Sequence, residues 1–337
     1  MRKLLITTLT LLAMGNLMAQ ETLNTVVNTL KERIKLSGYG QVGYTYDDAV
    51  EPNNSFDVKR AILMVDGKIT DKWSCYFMCN FADATKLLEL YTDYHIMPGL
   101  SARMGQFKTP YTFENQLSLS TVELINCYAQ ATNCLAGVTN ADKLIVGNGG
   151  RDIGLMIYGD LFKKLVTYKL AVMNGQGINV KDKNNQKDVI GYLMLNPTKW
   201  LSIGGSFIAG TGHAMAQAEE AGIVVGQNYS RNRWSAGAIL TGSRASLRTE
   251  YLSGKDNGVR RSGMYATGCV QLIPKLEMIA SVDYFDHGRI GNQQANYVAG
   301  LQYWFYPKCR LQAQYTRQEP KGAEGSNLIQ TQIQVRF

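Results

Sequence analysis

Histidine is scarce in this 337-residue chain, with only His95, His213 and His287, and proline occurs seven times. Beyond the first twenty residues no apolar run approaches the ~18 residues that a membrane-spanning helix requires, which excludes a helical membrane protein. Nucleotide loops, a GxSxG turn and zinc-ligand spacings are all missing. The neighbours of the few histidines, Asp93 beside His95 and Asp283 four residues before His287, read as wall or loop residues, because no serine or second acid completes a catalytic set. The formal net charge is +8, yet Lys and Arg are spread along the chain and not clustered, so nucleic acid is not an expected partner. No cofactor or metal is implied.

What the chain has in quantity is tyrosine, at 19 residues, and glycine, at 33. It opens on Met1-Arg2-Lys3, then an apolar stretch of about a dozen residues and a small residue at Ala19. That order reads as a secretory signal peptide over 1–19, too short to span a bilayer as an anchor, with no cysteine after the cut to carry a lipid. Residues 20–33 form a periplasmic segment. Across Glu21 to Lys35, Leu23, Val26, Val27, Leu30 and Ile34 have helical spacing, so this stretch is either a short helix or a loose leader.

From 34 to the end the period is two. Strands are predicted near 34–46, 56–69, 72–82, 87–97, 100–108, 151–159, 164–174, 187–196, 199–210, 230–241, 243–254, 260–272, 275–285, 294–305, 308–318 and 327–337. In KLEMIASVDYF, Leu276, Met278, Ala280, Val282 and Tyr284 alternate with Glu277, Ile279, Ser281, Asp283 and Phe285. In LELYTDYHI the apolar face is Leu88, Leu90, Thr92, Tyr94 and Ile96; in WSCYFMCNF it is Trp73, Cys75, Phe77, Cys79 and Phe81. Alternation alone also fits a secreted soluble β-sandwich such as a lectin. The links decide: TD, PG, DLFK, PT, PK and YP alternate with longer polar ones such as GKDNGV and NGQGINVKDKNNQ. Short turns at one end and long loops at the other are the habit of outer-membrane β-barrels, and strands of this length cross an apolar band of ~25 Å when tilted. The expected fold is therefore all-β, a transmembrane antiparallel barrel of sixteen strands over 34–337. The last segment, NLIQTQIQVRF, sets Ile329, Thr331, Ile333, Val335 and Phe337 against Gln330, Gln332, Gln334 and Arg336. Such a strand should pair with the first to leave no open edge in lipid, and a final Phe337 resembles the signal read by the barrel-assembly machinery.

About forty residues between Phe107 and Asp152 carry no strand pattern, and a link of that length is usually functional. Counted from the first strand it is the third long loop. Its apolar residues, Leu117, Leu119, Val122, Leu124, Ile125 and Leu135, suit packing against an inner wall, although an external loop is the alternative. Between Lys108 and Arg151 at its ends, its charged residues are Glu114, Glu123, Asp142 and Lys143; from Tyr111 to Asp142 it holds no Lys or Arg. Cys127 and Cys134, seven apart within it, are positioned to form a disulfide. Cys75 and Cys79, about 13 Å apart by strand rise, are not, and read as small lipid-facing residues. Cys269 and Cys309 are expected to be unpaired.

Three stretches, VKRAILMVDGKITDKW (58–73), RMGQFKTPYTFE (103–114) and GRDIGLMIYG (150–159), resemble the phosphate-selective porin O and P family of Gram-negative bacteria. The resemblance implies a homotrimer of sixteen-stranded barrels in the outer membrane and an anion-preferring pore, with Arg60, Lys108 and Arg151 in matching motif positions. An anion pore needs cations aimed into water between low-dielectric walls. Polar-face candidates are Arg60, Lys68, Arg103, Arg248, Arg310 and Arg336, with Lys108 and Arg151 at the ends of the long loop. The departure is the loop itself, whose LINCYAQATNC lacks cations where relatives place them. A weak anion preference follows, with phosphate among the permeant solutes and small nutrients passing by size; a barrel with a plugged, structural lumen is the other reading.

Overall fold

In the computed structural model the described residues are 32–82, 86–139, 144, 149–288 and 293–337. The expected signal peptide and residues 20–31 lie outside them. Strands follow in chain order as β1 (Ile34–Asp47), β2 (Asn54–Lys68), β3 (Trp73–Asn80), β4 (Lys86–Met97), β5 (Leu100–Lys108), β6 (Arg151–Leu161), β7 (Val166–Met173) and β8 (Asp188–Leu195). The second half comprises β9 (Leu201–His213), β10 (Asn228–Thr241), β11 (Ala245–Asp256), β12 (Val259–Ile273), β13 (Leu276–Asp286), β14 (Gln293–Tyr306), β15 (Cys309–Pro320) and β16 (Ser326–Arg336). Each pairs antiparallel with its chain neighbours, and β1 pairs with β16, so the sheet closes into a barrel. Ile34 and Lys35 already belong to β1, which ends the helical reading of 21–35 at residue 33.

The closing seam runs from Tyr39 opposite Arg336 to Asp47 opposite Leu328. Phe337 extends it by exchanging both backbone hydrogen bonds with Gly38, at 3.0 and 3.2 Å. A Cβ at Gly38 would lie 2.7 Å from the Phe337 ring, so the terminal side chain fits because that position is glycine.

Alternation separates two environments. On β13, Met278, Val282 and Tyr284 are exposed on the outer surface, while Ile279, Ser281, Asp283 and Phe285 are buried inside. Apolar side chains thus cover the outside of a closed sheet, which is the arrangement lipid requires and a soluble sandwich does not have. Two local details depart from strict period two. A bulge between β3 and β4 leaves Leu88 without an opposite residue, and this side chain, expected outside, is buried with Tyr39, Met64, Met78 and Ile178. Next to the same bulge Cys79 is buried, its thiol donating to the Lys86 carbonyl, whereas Cys75 is exposed as expected.

Where the linking residues are described, short turns alternate with longer links as expected, with one exception. GKDNGV was expected to be a longer loop, but β11 and β12 continue through it and are joined by Asn257 and Gly258 alone. Both have positive φ, 47° and 91°, the demand of a two-residue hairpin whose twist matches its strands. Gly105 in β5 shows how closely the wall is packed. Its φ is +136°, and a Cβ there would come within 2.2 Å of the Leu90 carbonyl oxygen. Gly105→Ala is expected to lower stability by more than about 2 kcal/mol, read as a lower urea midpoint for loss of the heat-resistant folded band on gels.

Candidate functional site

The segment from Thr109 to Gly150 joins β5 to β6, and its described part, 109–139, lies against inward-facing side chains of the barrel. It contains two short helices, α1 (Phe113–Gln116) and α2 (Gln130–Leu135). Its ends are drawn together by Asn115, whose Nδ2 donates to the carbonyls of Thr109 at 3.0 Å and Gly150 at 2.8 Å. Tyr111, Ala131 and Leu135 of the segment pack with Phe107, Met156, Ile190, Leu252 and Phe285 of the wall, so its apolar residues replace water that would otherwise wet its backbone.

Most cations expected to line an anion path hold this segment instead. Arg248 on β11 pairs with Glu123 at 2.8 Å and lies 3.7 Å from Glu114. Arg310 on β15 donates to the Val122 carbonyl and to Gln302 Oε1, both at 2.8 Å. Arg336 reaches Ser120 Oγ at 2.7 Å, and Arg60 reaches Gln41 Oε1 at 2.8 Å and the Cys127 sulfur at 2.9 Å. Glutamines complete the attachment: Gln312 and Gln314 both donate to the Glu123 carbonyl, and Gln334 donates to that of Ser120. Lys68 joins none of this. It sits at the end of β2, paired with Asp71 of the adjoining turn at 2.7 Å and largely exposed. The disulfide open to Cys127 and Cys134 is not formed: Cys127 lies beside Arg60 while Cys134 lies beside Arg261, so the two thiols are turned to different guanidiniums. Asp142 and Lys143 lie outside the described residues. Asp93, considered beside His95, forms a two-bond pair with Arg103, and His95 bonds Ser101 instead.

On the opposite side the segment stands away from the wall. Gln116, Ser118 and Leu119 face Met64, Tyr76, Met78, Glu89, Arg103, Lys108, Arg151 and Lys169 across an opening of about 220 Å³. Four cations against one carboxylate line it. Arg151 is held by Glu89 through two bonds of 2.8 and 3.0 Å, and Arg103 by Asp93 while stacking over Tyr91 at 3.6 Å. Lys108 donates to the Leu117 carbonyl, and Lys169 to Gln116 Oε1 at 2.7 Å. Neither lysine has a carboxylate partner among the described residues, so the positive excess rests on these two. Lys169 was not among the sequence candidates, although its parity with Thr167 and Ala171 on β7 marked the inner face. Arg231, Arg233 and Arg261 were missed for the same reason; Arg231 on β10 meets Asp188 on β8, across β9, while Arg233 and Arg261 meet Asp256 on the adjoining β11.

Glu114 is fully buried in α1, where loss of water pushes its carboxyl up to about 7, against the opposing pull of Arg248. A raised carboxyl pKa means the folded chain holds a proton that the unfolded chain has released between the ordinary value and about 7. Stability from this group is therefore greatest below that window and falls as pH rises through it. Glu114→Gln is expected to remove that part of the slope, which thermal unfolding from pH 4.5 to 7.5 would show as a flatter profile.

Residues 34–159 match the family described as Phosphate-selective porin O and P. No curated protein matches the chain by sequence. Among solved structures, the anion-selective porin from Comamonas acidovorans superimposes with a TM-score of 0.66 at 15% identity, covering 90% of this chain and 99% of that one. OmpT of Vibrio cholerae in its trimer form gives 0.67 at 10% identity, over 90% and 99%. The outer-membrane channel DcaP of Acinetobacter baumannii gives 0.64 at 10%, over 90% and 97%. The chain is a sixteen-stranded outer-membrane barrel of porin architecture from a Gram-negative envelope, and from β1 into β6 it carries the sequence signature of the phosphate-selective porin O and P family.

Proposed function

We propose that this barrel is a passive diffusion channel for small hydrophilic solutes, with a mild preference for anions that include inorganic phosphate. The observation that carries the reading is the opening beside the inserted segment, lined by Arg103, Lys108, Arg151 and Lys169 with Glu89 as its one carboxylate. Low-dielectric walls strengthen such a field and raise the local concentration of counter-ions. The preference stays mild because Asp93 and Glu89 take up two of the four charges at bonding distance. Tight phosphate binding would call for several donors free at once, and here Arg103 and Arg151 are already occupied.

The chain acts without catalysis or cofactor in this reading. It is exported by residues 1–19, recognised by the barrel-assembly machinery through the strand ending in Phe337, and assembled as a homotrimer. The trimer form of the structurally similar Vibrio OmpT supports the last point, and the family match supports anion passage.

The test is the reversal potential across a KCl gradient in a planar bilayer, repeated with phosphate as competitor. The wild-type channel is expected to favour chloride over potassium, and Lys108→Gln combined with Lys169→Gln to bring the ratio to unity or below. A cation-selective wild type would refute the reading. Phosphate block at millimolar concentration would instead show a specific site. Arg248→Gln, which frees Glu123 and the inserted segment, is expected to raise single-channel conductance and its noise without reversing selectivity.

A further inference from the structure

The inserted segment divides the lumen, and its other side is chemically unlike the cationic opening. Between it and the second halves of β13 and β15 with the first half of β14 lies a chamber of about 330 Å³, within the ~300–1,000 Å³ of small-ligand sites. None of its described lining residues is basic. Its polar groups are mainly carboxamides, Asn126, Gln130 and Asn133 from the segment and Asn296, Gln314 and Gln318 from the wall, with Leu124, Tyr128 and Val298 as an apolar side.

Some of these amides are spent on structure and others are not. Gln314 accepts from the Ile125 N–H at 2.8 Å and donates to the Glu123 carbonyl at 2.7 Å, fixing the segment to the wall. Asp283, the one carboxylate, accepts from Gln130 and from Asn296, so it is covered by amide donors and offers no open anion. Asn133 donates to the Tyr128 carbonyl at 2.8 Å, but its Oδ1 is buried with no partner among the described residues. The Asn126 carboxamide is exposed to the chamber and has no side-chain partner there, which leaves one further donor group and one further acceptor. Carboxamides that both donate and accept, beside an apolar wall and without net positive charge, match a ligand of many hydroxyls and exposed C–H faces.

We infer that this chamber is a binding subsite for uncharged polyhydroxylated solutes of mono- or disaccharide size, separate from the cationic opening. The inference rests on the reading of the barrel as an open channel, because the solute must reach the chamber through water. It gives one barrel two solute classes, divided by the inserted segment into an anion side and a neutral hydrogen-bonding side.

The experiment is saturation-transfer NMR on the full-length barrel folded in detergent, with maltose as probe and inorganic phosphate as competitor. Transfer to the sugar ring protons is expected, unchanged by phosphate. Asn126→Ala should weaken maltose binding by roughly threefold or more, the loss of one neutral hydrogen-bonding group, and Asn126→Trp, which fills the chamber, should abolish it. Asn126 is exposed, so both variants are expected to keep the heat-modifiable mobility of the folded barrel. No transfer to maltose, or transfer undiminished in Asn126→Trp, overturns the inference, as does displacement of maltose by phosphate, which would place the sugar in the cationic opening. Conductance of the same preparation separates the two readings: a conducting channel that binds no maltose sinks the subsite alone, while a barrel that never conducts sinks the channel.

Discussion

The pairing of β16 with β1 is the constraint from which the rest of the molecule follows. Inside hydrocarbon an unpaired N–H or C=O costs several kcal/mol, so a sheet can cross only if its last strand returns to its first. Here the return runs the length of the seam and is completed by Phe337 against Gly38. Once the ring is closed, every strand must turn one face to lipid and one to the lumen. The outer face can then be apolar without limit, and all the polar chemistry of the chain is concentrated inside.

That concentration creates a second problem, which the segment between β5 and β6 resolves. A lumen crowded with arginines would repel itself, and the interior accommodates them in three ways: wall carboxylates, as with Arg103 and Arg151; acids of the inserted segment, as with Arg248; and backbone carbonyls of that segment, as with Arg310. The absence of Lys and Arg from the described part of the segment, 109–139, thus suits its docking. A lysine in place of Glu123 would meet Arg248 with like charge. In the proposed channel, selectivity is left to the side where Lys108 and Lys169 line the opening without a carboxylate partner among the described residues.

Docking of residues 109–139 against the inner wall also explains the uneven use of glutamine and asparagine. Along β14, β15, β16 and β1, Gln302, Gln312, Gln334 and Gln41 tie strands and segment together, because a carboxamide can donate to one neighbour and accept from another. Farther toward the loop end the same residue type has capacity to spare.

Much of this was legible in the residue order. Period-two alternation marks lipid and lumen faces strand by strand, since successive side chains in an extended backbone point oppositely, and it located all sixteen strands among the described residues. The same parity marks Arg60, Arg103, Arg248, Arg310 and Arg336 as inward, and equally Lys169, Arg231, Arg233 and Arg261. Only the closed structure decided which of those cations face the opening and which face a carboxylate, because their partners lie up to 188 residues away for Arg310 and 125 for Arg248, and no local pattern encodes such a distance. The inward turn of Leu88 and the separation of Cys127 from Cys134 belong to the same class: the first goes with a bulge in the pairing of β4 with β3, and the two thiols meet Arg60 of β2 and Arg261 of β12. Local backbone geometry is written in the nearest few residues, whereas the sign of the field at a point in the lumen is a sum over the whole ring.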